Sequence, residues 1–401
     1  MSSHSGPCCT PCVRLAPIVR LVLVAVLLSA FAAADAAAQL CPGTTVVSGL
    51  RRPLGMALSN QGNLIVSESG TPVPDSGRLS IVDAGGARRT LIDGLPSALN
   101  DVNEPAGPAG IVMRGRTAYL LIGIGDTVLP SPVPGRQLAN PDVSSPIFSS
   151  VLAIHFSANV EKRTGGFTLS QEDGEALASG ETVTLSNGGG DSLTLELVAD
   201  FPDFVSEPLP GFPALVRGSN PFGLVLVANQ LYVTDGGRNL VWRVDVPTGD
   251  FEPLAGFPPI ANPLFPVGPP VSEAVPTGIE YAGGRLLVTL FRGVPFPPVS
   301  SVIEVDPSTG GQSVLIDGLK TAIEIIAEPP PAKGSYLVLQ HSSGAGPFFG
   351  GPGLLLRFES PGAAPDVLAD CLARPTSMVL DDRSGTIYVS ELETGRIVAF
   401  Q

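Results

Sequence analysis

Short apolar runs separated by polar turns recur in the same order six times along this chain. Each copy begins with a proline, any residue and a small residue, and it continues into an apolar run, a turn and a second apolar run. The leading triplets are Pro53-Leu54-Gly55, Pro108-Ala109-Gly110, Pro221-Phe222-Gly223, Pro276-Thr277-Gly278, the degenerate Lys320-Thr321-Ala322, and Pro375-Thr376-Ser377. Because a repeated all-β unit of roughly 45–50 residues is typical of a propeller blade, the pattern predicts an all-β, six-bladed β-propeller.

The two ends of the chain are expected to share the sixth blade. The last repeat stops at Arg396–Phe400 after only three strand-like runs, whereas residues 44–49 have the pattern that ends the other repeats. We therefore expect the N-terminal strand to pair with the last strand and complete the blade. This arrangement would leave no open strand edge for other chains to pair with.

The first 38 residues have the pattern of a secretory signal peptide. Arg14 and Arg20 precede an apolar stretch, and Ala36-Ala37-Ala38 offers a small-residue cleavage site. We expect residues 39–401 to form one secreted or periplasmic propeller domain, with no membrane span after cleavage; an uncleaved anchor is the alternative. Two cysteines remain after cleavage, Cys41 and Cys371, and the sequence leaves open whether they form a disulfide.

Charge excludes one class of partner. The net charge is −14 and the chain has only three lysines, so no basic surface for nucleic acid is expected. The catalytic motifs that a sequence can reveal are missing as well: there is no Gly-x-Ser-x-Gly elbow, phosphate loop or dinucleotide fingerprint. Only His155 and His341 follow the leader, too few for a multi-histidine metal site.

Most insertions between blade strands are predicted on one face of the propeller, at 69–77, 126–146, 292–300 and 342–352. Two of these loops are rich in Phe and Pro, and aromatic rings on stiff loops suit a binding site. The expected ligand-binding residues are Asn220, Arg292, Phe296, His341, Phe348 and Phe349. The alternative is that the rings only pack over the channel mouth. Residues 157–190, an acidic insertion in the second repeat, are expected to form an extra hairpin on the opposite face.

Two columns of carboxylates follow from aligning the repeats. Glu68, Asp235 and Glu391 end second strands and could bind a divalent cation, or each could accept N–H bonds within its own turn. Glu280 and Glu324 fall on innermost strands of adjacent repeats. These two side chains could share a proton or a metal, or be solvated by trapped water.

Some segments resemble a known family. Ser219-Asn220-Pro221-Phe222-Gly223-Leu224, followed by Leu231-Tyr232-Val233-Thr234-Asp235-Gly236-Gly237-Arg238-Asn239, is similar to the Asn-Pro-Tyr-Gly and Val-Ala-Asp-Ala-Gly-Gly-Asn segment of the ScyD/ScyE (scytonemin biosynthesis) propeller family. Phe291-Arg292-Gly293-Val294-Pro295-Phe296-Pro297 resembles the Thr-Gly-Phe-Pro-Phe-Pro loop of that family. The resemblance implies an exported six-bladed propeller with NHL-like repeats and supplies no catalytic residues. Phe222 replaces the usual Tyr, and the family has no counterpart that we associate with residues 157–190.

The leading hypothesis is a non-catalytic, monomeric binding or scaffold protein without a cofactor, which takes a small molecule or a protein at the loop face. The alternative is a metal-dependent hydrolase that resembles the gluconolactonase-type propellers. In that case Glu68, Asp235 and Glu391 would bind the divalent cation.

Overall fold

The computed structural model describes residues 42–133, 135–163, 165–329 and 334–401. The predicted signal peptide and Cys41 lie outside the described residues. Cys371 is disulfide-bonded, and every other cysteine of the sequence lies at or before residue 41. Within the described ranges, no helix is long and apolar enough to cross a membrane.

Three sheets of four or five strands come from residues 53–256. Listed from the inner strand outwards, blade 1 contains Pro53–Leu58, Leu64–Glu68, Gly77–Val82, Arg88–Leu95 and the short strand Phe167–Thr168; blade 2 contains Pro108–Arg114, Thr117–Ile122, Ser150–Phe156, Ser192–Asp200 and Val183–Ser186; blade 3 contains Pro221–Val227, Gln230–Asp235, Leu240–Asp245 and Phe251–Gly256.

Three further sheets of four strands complete the series. Blade 4 contains Pro276–Ala282, Arg285–Leu290, Ser300–Val305 and Gln312–Leu319; blade 5 contains Ala322–Ala327, Tyr336–Gln340, Gly353–Phe358 and Asp366–Leu372; blade 6 contains Pro375–Asp381, Thr386–Glu391, Arg396–Phe400 and Thr44–Val47. The fold is a β-propeller.

The N-terminal strand is the outer strand of blade 6. It runs antiparallel to Arg396–Phe400, with Thr44 opposite Ala399 and Val47 opposite Ile397. This is the pairing that the sequence predicts. It covers the edge of the last strand from Ile397 to Ala399 and buries Val47 in the core.

The innermost strands of neighbouring blades contact one another, and blade 6 contacts blade 1. The Thr376 hydroxyl of blade 6 donates to the Pro53 carbonyl of blade 1 at 2.8 Å. The close approach explains the small residue of the repeat triplet: a Cβ on Gly55 would lie 2.5 Å from the carbonyl oxygen of Ala109 in blade 2. Proline is tolerated at the first position because a strand can begin there without a donor.

In the fifth repeat, the pairing of the first two strands differs from the register that the sequence predicts. Ala322 lies opposite Gln340, as Pro276 lies opposite Leu290 in blade 4. The triplet of blade 5 is therefore Ala322-Ile323-Glu324, two residues later than expected, and Glu324 takes the position of a small residue. No proline marks this repeat, so the strand pairing alone sets its start. Glu324 and Glu280 are consequently not in the same row of the channel.

Residues 157–190 differ from the simple hairpin expected. They contain helix α1 (Val160–Arg163), helix α2 (Gln171–Ala178), Phe167–Thr168 and Val183–Ser186. Helix α2 begins after Ser170, which forms a capping box with Asp173. Phe167 pairs parallel with the outer strand of blade 1, opposite Ile92, so the segment joins blades 1 and 2.

Three smaller sheets accompany the blades. They pair Val128–Pro130, Gln137–Ala139, Leu215–Gly218 and Phe204–Ser206; Ala98–Leu99 with Pro105–Ala106; and Ile260–Ala261 with Val271–Ser272. The buried aliphatic side chains lie between adjacent blades.

Candidate functional site

The repeat brings Phe291 and His341 to equivalent places on the loop face. Each residue directly follows the second strand of its blade, and each donates its backbone N–H to the residue before the inner strand. Phe291 bonds the carbonyl of Val275 at 3.0 Å, and His341 bonds that of Thr321 at 3.0 Å. Blades 4 and 5 are adjacent, so the two rings lie side by side.

Two inserted loops add rings to this pair and form an aromatic cluster of Phe291, Phe296, His341 and Phe349. Phe296 and Phe349 are stacked with centroids 4.2 Å apart, and the edges of His341 and Phe291 meet Phe349 at 5.0 and 6.0 Å. Such arrangements are the favoured geometries for aromatic pairs. The two loops, one from each blade, are therefore held together by side-chain packing.

Part of this aromatic surface is exposed. Phe348 is 52% exposed and Phe349 is 37% exposed, whereas Phe296 is half-buried. The backbone N–H of Phe348 donates to the Pro295 carbonyl at 2.7 Å, which ties the two loops. Phe296 thus packs against Phe291 and Phe349, whereas Phe348 and Phe349 expose part of their rings to solvent.

His341 is neutral at pH 7. Burial lowers its pKa to about 4, and the charges of Arg374 and Arg52 act in the same direction. Its Nδ1 lies 2.9 Å from the Pro375 carbonyl of blade 6, which favours the tautomer that carries the proton on Nδ1. His341 therefore anchors the cluster to blade 6 and provides no charge to the surface.

Cationic side chains border the aromatic cluster. The Arg374 guanidinium lies 5.5 Å from the centroid of Phe349 and donates to the carbonyls of Phe349 and Gly351 at 2.6 and 3.0 Å. Arg292 is 8% exposed, and its Nε donates to the Val299 carbonyl at 3.2 Å. Burial lowers the pKa of Arg292.

Asn220 is placed differently from the other expected ligand residues. Its backbone N–H donates to Asp235 at 2.8 Å, and its side-chain oxygen accepts a long bond from the Ile124 amide at 3.4 Å. No hydrogen bond found in the described part of the chain joins it to the aromatic cluster. Sequence reasoning did not name Phe291 and Arg374 as site residues. Phe291 could have been identified from the sequence, because it occupies the same position in the fourth repeat as His341 in the fifth.

The three carboxylates of the proposed metal set each have partners in their own blade. Glu68 forms a buried ion pair with Arg78 at 2.5 Å. Asp235 accepts bonds from Asn220, from the backbone N–H of Arg238 at 3.0 Å and from Trp242 Nε1 at 3.1 Å.

Glu391 bonds Arg396, the Thr394 hydroxyl at 2.6 Å and the Ala373 amide at 3.0 Å. Across the ranges that the structure covers, no group of three His, Cys, Asp or Glu side chains is placed to hold a metal ion. The arrangement of Glu68, Asp235 and Glu391 matches the alternative in which each carboxylate organises its own turn.

The central channel contains a second set of carboxyl side chains. Inner strands of the six blades line a cavity of about 390 Å³, and Glu280, Glu324 and Asp382 contribute to its wall. Burial raises the pKa of Glu280 to about 7, and the charge of Asp382 adds to the effect. Burial and then the charge of Glu280 raise the pKa of Glu324 to about 8, although Ser377 and Met378 donate hydrogen bonds to it. At neutral pH this pair retains protons that exposed carboxyls would lose.

Comparison with known proteins gives no close relative. No protein-family model and no curated protein matches the chain. Among solved structures, a gluconolactonase from Xanthomonas campestris is 10% identical, with 91% of this chain and 92% of that chain covered and a TM-score of 0.47. The PQQ-bound aldose sugar dehydrogenase from Streptomyces coelicolor is 15% identical, with coverages of 90% and 99% and a TM-score of 0.46. A streptogramin B lyase is 13% identical, with coverages of 87% and 93% and a TM-score of 0.43. These likenesses assign no activity to this chain.

Proposed function

We propose that this protein is an exported, non-catalytic binding propeller whose ligand, a small molecule or a protein, contacts the aromatic cluster of the loop face. One observation carries the proposal: Phe348 and Phe349 are exposed on loops that packing already holds in place. Burying exposed aromatic area is favourable, and loops that are ordered beforehand add little entropic cost to binding.

Two features of the sequence support export. The signal-peptide pattern of residues 1–38 is one, and the resemblance of the Ser219 to Asn239 segment to the ScyD/ScyE family is the other. We propose membership of that family on the motifs alone, and a secreted or periplasmic monomer as the mature form.

The proposal is tested with an uncharged aromatic probe, N-phenyl-1-naphthylamine, whose fluorescence rises on binding. Replacing Phe348 and Phe349 together with Ala should weaken its binding by at least about tenfold, because each lost ring contact contributes roughly 1 kcal/mol or more. The matched control is Phe212→Ala, which removes a ring that is 43% exposed elsewhere. Failure of the native protein to bind the probe, or equal binding by the double variant, would contradict the proposal.

Metal-dependent hydrolysis is the second hypothesis, and it requires Glu68, Asp235 and Glu391 to leave their present partners. The bonds from Arg78, Trp242 and Arg396 argue for the binding function instead. Metal analysis of the purified protein, together with thermal melting with and without calcium, separates the two. A stoichiometric divalent cation, or a clear rise in the melting temperature with calcium, would favour the hydrolase.

A further inference from the structure

We propose that the aromatic cluster selects ligands that join an aromatic ring to a carboxylate or sulfonate group, with Arg374 as the residue that contacts the anion. The inference rests on the proposed function, because it names the chemical class bound at the same surface. It is carried by the arrangement of cationic side chains around the cluster.

Two buried cationic side chains beside the cluster have no carboxylate partner among the described residues. Arg292 is 8% exposed, and its Nη1 has no hydrogen-bond partner. Lys320 is 4% exposed, and its ammonium group donates to the Gly346 carbonyl at 2.6 Å, at the start of the loop that carries Phe348 and Phe349. Among the described residues, neither forms an ion pair. Buried charges are normally paired with an opposite charge. The positive charges of Arg292 and Lys320 therefore favour an anionic group of the ligand.

Arg374 presents a third cation at the surface itself. Its guanidinium packs against the ring of Phe349, and among the described residues it donates hydrogen bonds to the carbonyls of Phe349 and Gly351. No ion pair of Arg374 occurs in the ranges that the structure covers. Two carbonyl bonds leave several of the five guanidinium donors available, and the planar fork suits a bidentate contact with a carboxylate.

Three carboxylates of this face are paired with arginines. Glu68 is paired with Arg78, and Glu391 is paired with Arg396. Glu104 is paired with Arg52 at 2.5 Å, so the one other arginine that acts on His341 has its own counterion. The chain as a whole has a net charge of −14, so the positive charge at the cluster is opposite in sign to the net charge of the chain.

Ring and charge lie at a spacing that one small ligand can span. Phe296 stacks on the Phe349 ring and Arg374 packs against it, so a ligand ring would contact the exposed edge of Phe349, where an attached anion would lie near the guanidinium of Arg374. Since the guanidinium lies 5.5 Å from the centroid of Phe349, a substituent attached directly to the ring, or through one or two atoms, has sufficient reach. A cationic aromatic ligand would meet Arg374, Arg292 and Lys320 and be repelled.

The test compares two probes that differ in one group: 8-anilinonaphthalene-1-sulfonate and its uncharged counterpart N-phenyl-1-naphthylamine. The sulfonate should bind at least about tenfold more tightly to the native protein, because only the sulfonate can accept charge-assisted hydrogen bonds from Arg374. Arg374→Gln should remove that preference, because binding of the sulfonate should fall at least about fivefold more than binding of the uncharged probe. Arg374→Lys should keep part of the preference. Arg285→Gln, which removes a surface arginine paired with Asp306, is the matched control and should change neither probe.

The outcomes separate the two proposals. If the uncharged probe binds and the sulfonate binds no better, the anion preference is overturned while the proposed function stands. If the sulfonate is preferred equally by the Arg374→Gln variant and the native protein, the assignment to Arg374 is overturned. If neither probe binds, the proposed function fails and this inference fails with it. A thermal melt of each variant shows that the fold is retained.

Discussion

At the scale of single residues, the small position of the repeat triplet is a steric requirement. Gly55 lies so close to blade 2 that a Cβ would be 2.5 Å from the Ala109 carbonyl and 3.0 Å from the Gly110 Cα. Both neighbours are backbone atoms, which cannot move without shifting the inner strand. The small residue therefore sets how closely adjacent blades approach.

We predict that Gly55→Ala lowers the free energy of unfolding by about 2 to 3 kcal/mol, as overpacking of a close contact does. Denaturant unfolding measures it. Gly174→Ala is the control: it lies in helix α2 with nothing within 4 Å of the added Cβ, and alanine should stabilise the helix by up to about 1 kcal/mol. Equal effects of the two changes would show that the inner strands do not meet as described.

The channel carboxyls make stability depend on pH at the same scale. Below the ordinary pKa of 4.5, Glu324 is protonated in both folded and unfolded chains and contributes no pH dependence. Between pH 4.5 and about 8, the folded state keeps a proton that the unfolded state loses. Stability therefore falls as the pH rises through this window, and Glu280, with a pKa raised to about 7, acts in the same direction.

We predict that Glu324→Gln makes this decline shallower and raises the free energy of unfolding at pH 8 by on the order of 2 kcal/mol, since one pKa unit corresponds to about 1.4 kcal/mol. Unfolding curves at pH 5 and pH 8 give the result. Some decline should persist, because burial also raises the pKa of Asp200 to about 6. Parallel pH profiles for the variant and the native protein would refute the prediction.

At the scale of elements, strands of the segment 157–190 pair with both blade 1 and blade 2. Phe167 is buried and pairs beside Ile92 on blade 1, while Val183–Ser186 pairs with Ser192–Asp200 of blade 2. Glu161 extends the link, because it accepts bonds from Ser59 at 2.5 Å and Asn63 at 3.1 Å. The insertion therefore contributes side chains to the hydrophobic core.

We predict that Phe167→Ala costs about 3 to 4 kcal/mol of stability, as truncation of a buried phenylalanine does. Thr168→Ala, on the exposed side of the same short strand, should change stability by less than about 0.5 kcal/mol. Both are measured by chemical denaturation. A cost for Phe167→Ala as small as that for Thr168→Ala would mean that the segment does not dock on blade 1.

At the scale of the whole molecule, the two ends of the chain are joined in one sheet. Thr44–Val47 covers the edge of Arg396–Phe400, and Val47 and Leu50 bury apolar surface beneath it. Closing a ring of this length costs little entropy, because that cost grows only logarithmically with the number of residues.

We predict that a chain beginning at Pro53 aggregates or melts far below one beginning at Gln39. The shorter chain would expose the strand Arg396–Phe400, whose unpaired backbone groups can pair with other molecules. Thermal melting and light scattering of the two chains, compared at equal concentration, provide the measurement. Equal melting temperatures would show that the N-terminal strand does not contribute to closure.

What the sequence determined by itself is what depends on local pattern. Alternation along runs such as Leu231 to Asp235, interrupted by Gly and Pro, specifies strands and turns, and six copies specify a propeller. The repeat also placed Phe296, His341 and Phe349 on one face, because equivalent positions in successive blades lie at the same height. The unpaired final strand predicted its partner in the same way.

Only the tertiary structure decided which side chains meet across the chain. Glu324 falls two residues from its expected place because strand pairing, and not a proline, sets the start of blade 5. Glu68 and Glu391 bond arginines of their own blades instead of forming one ligand set. The contact between Arg374 and Phe349 depends on how the loop from blade 5 folds over blade 6. Such contacts join residues from separate strands and loops, so no local pattern records them.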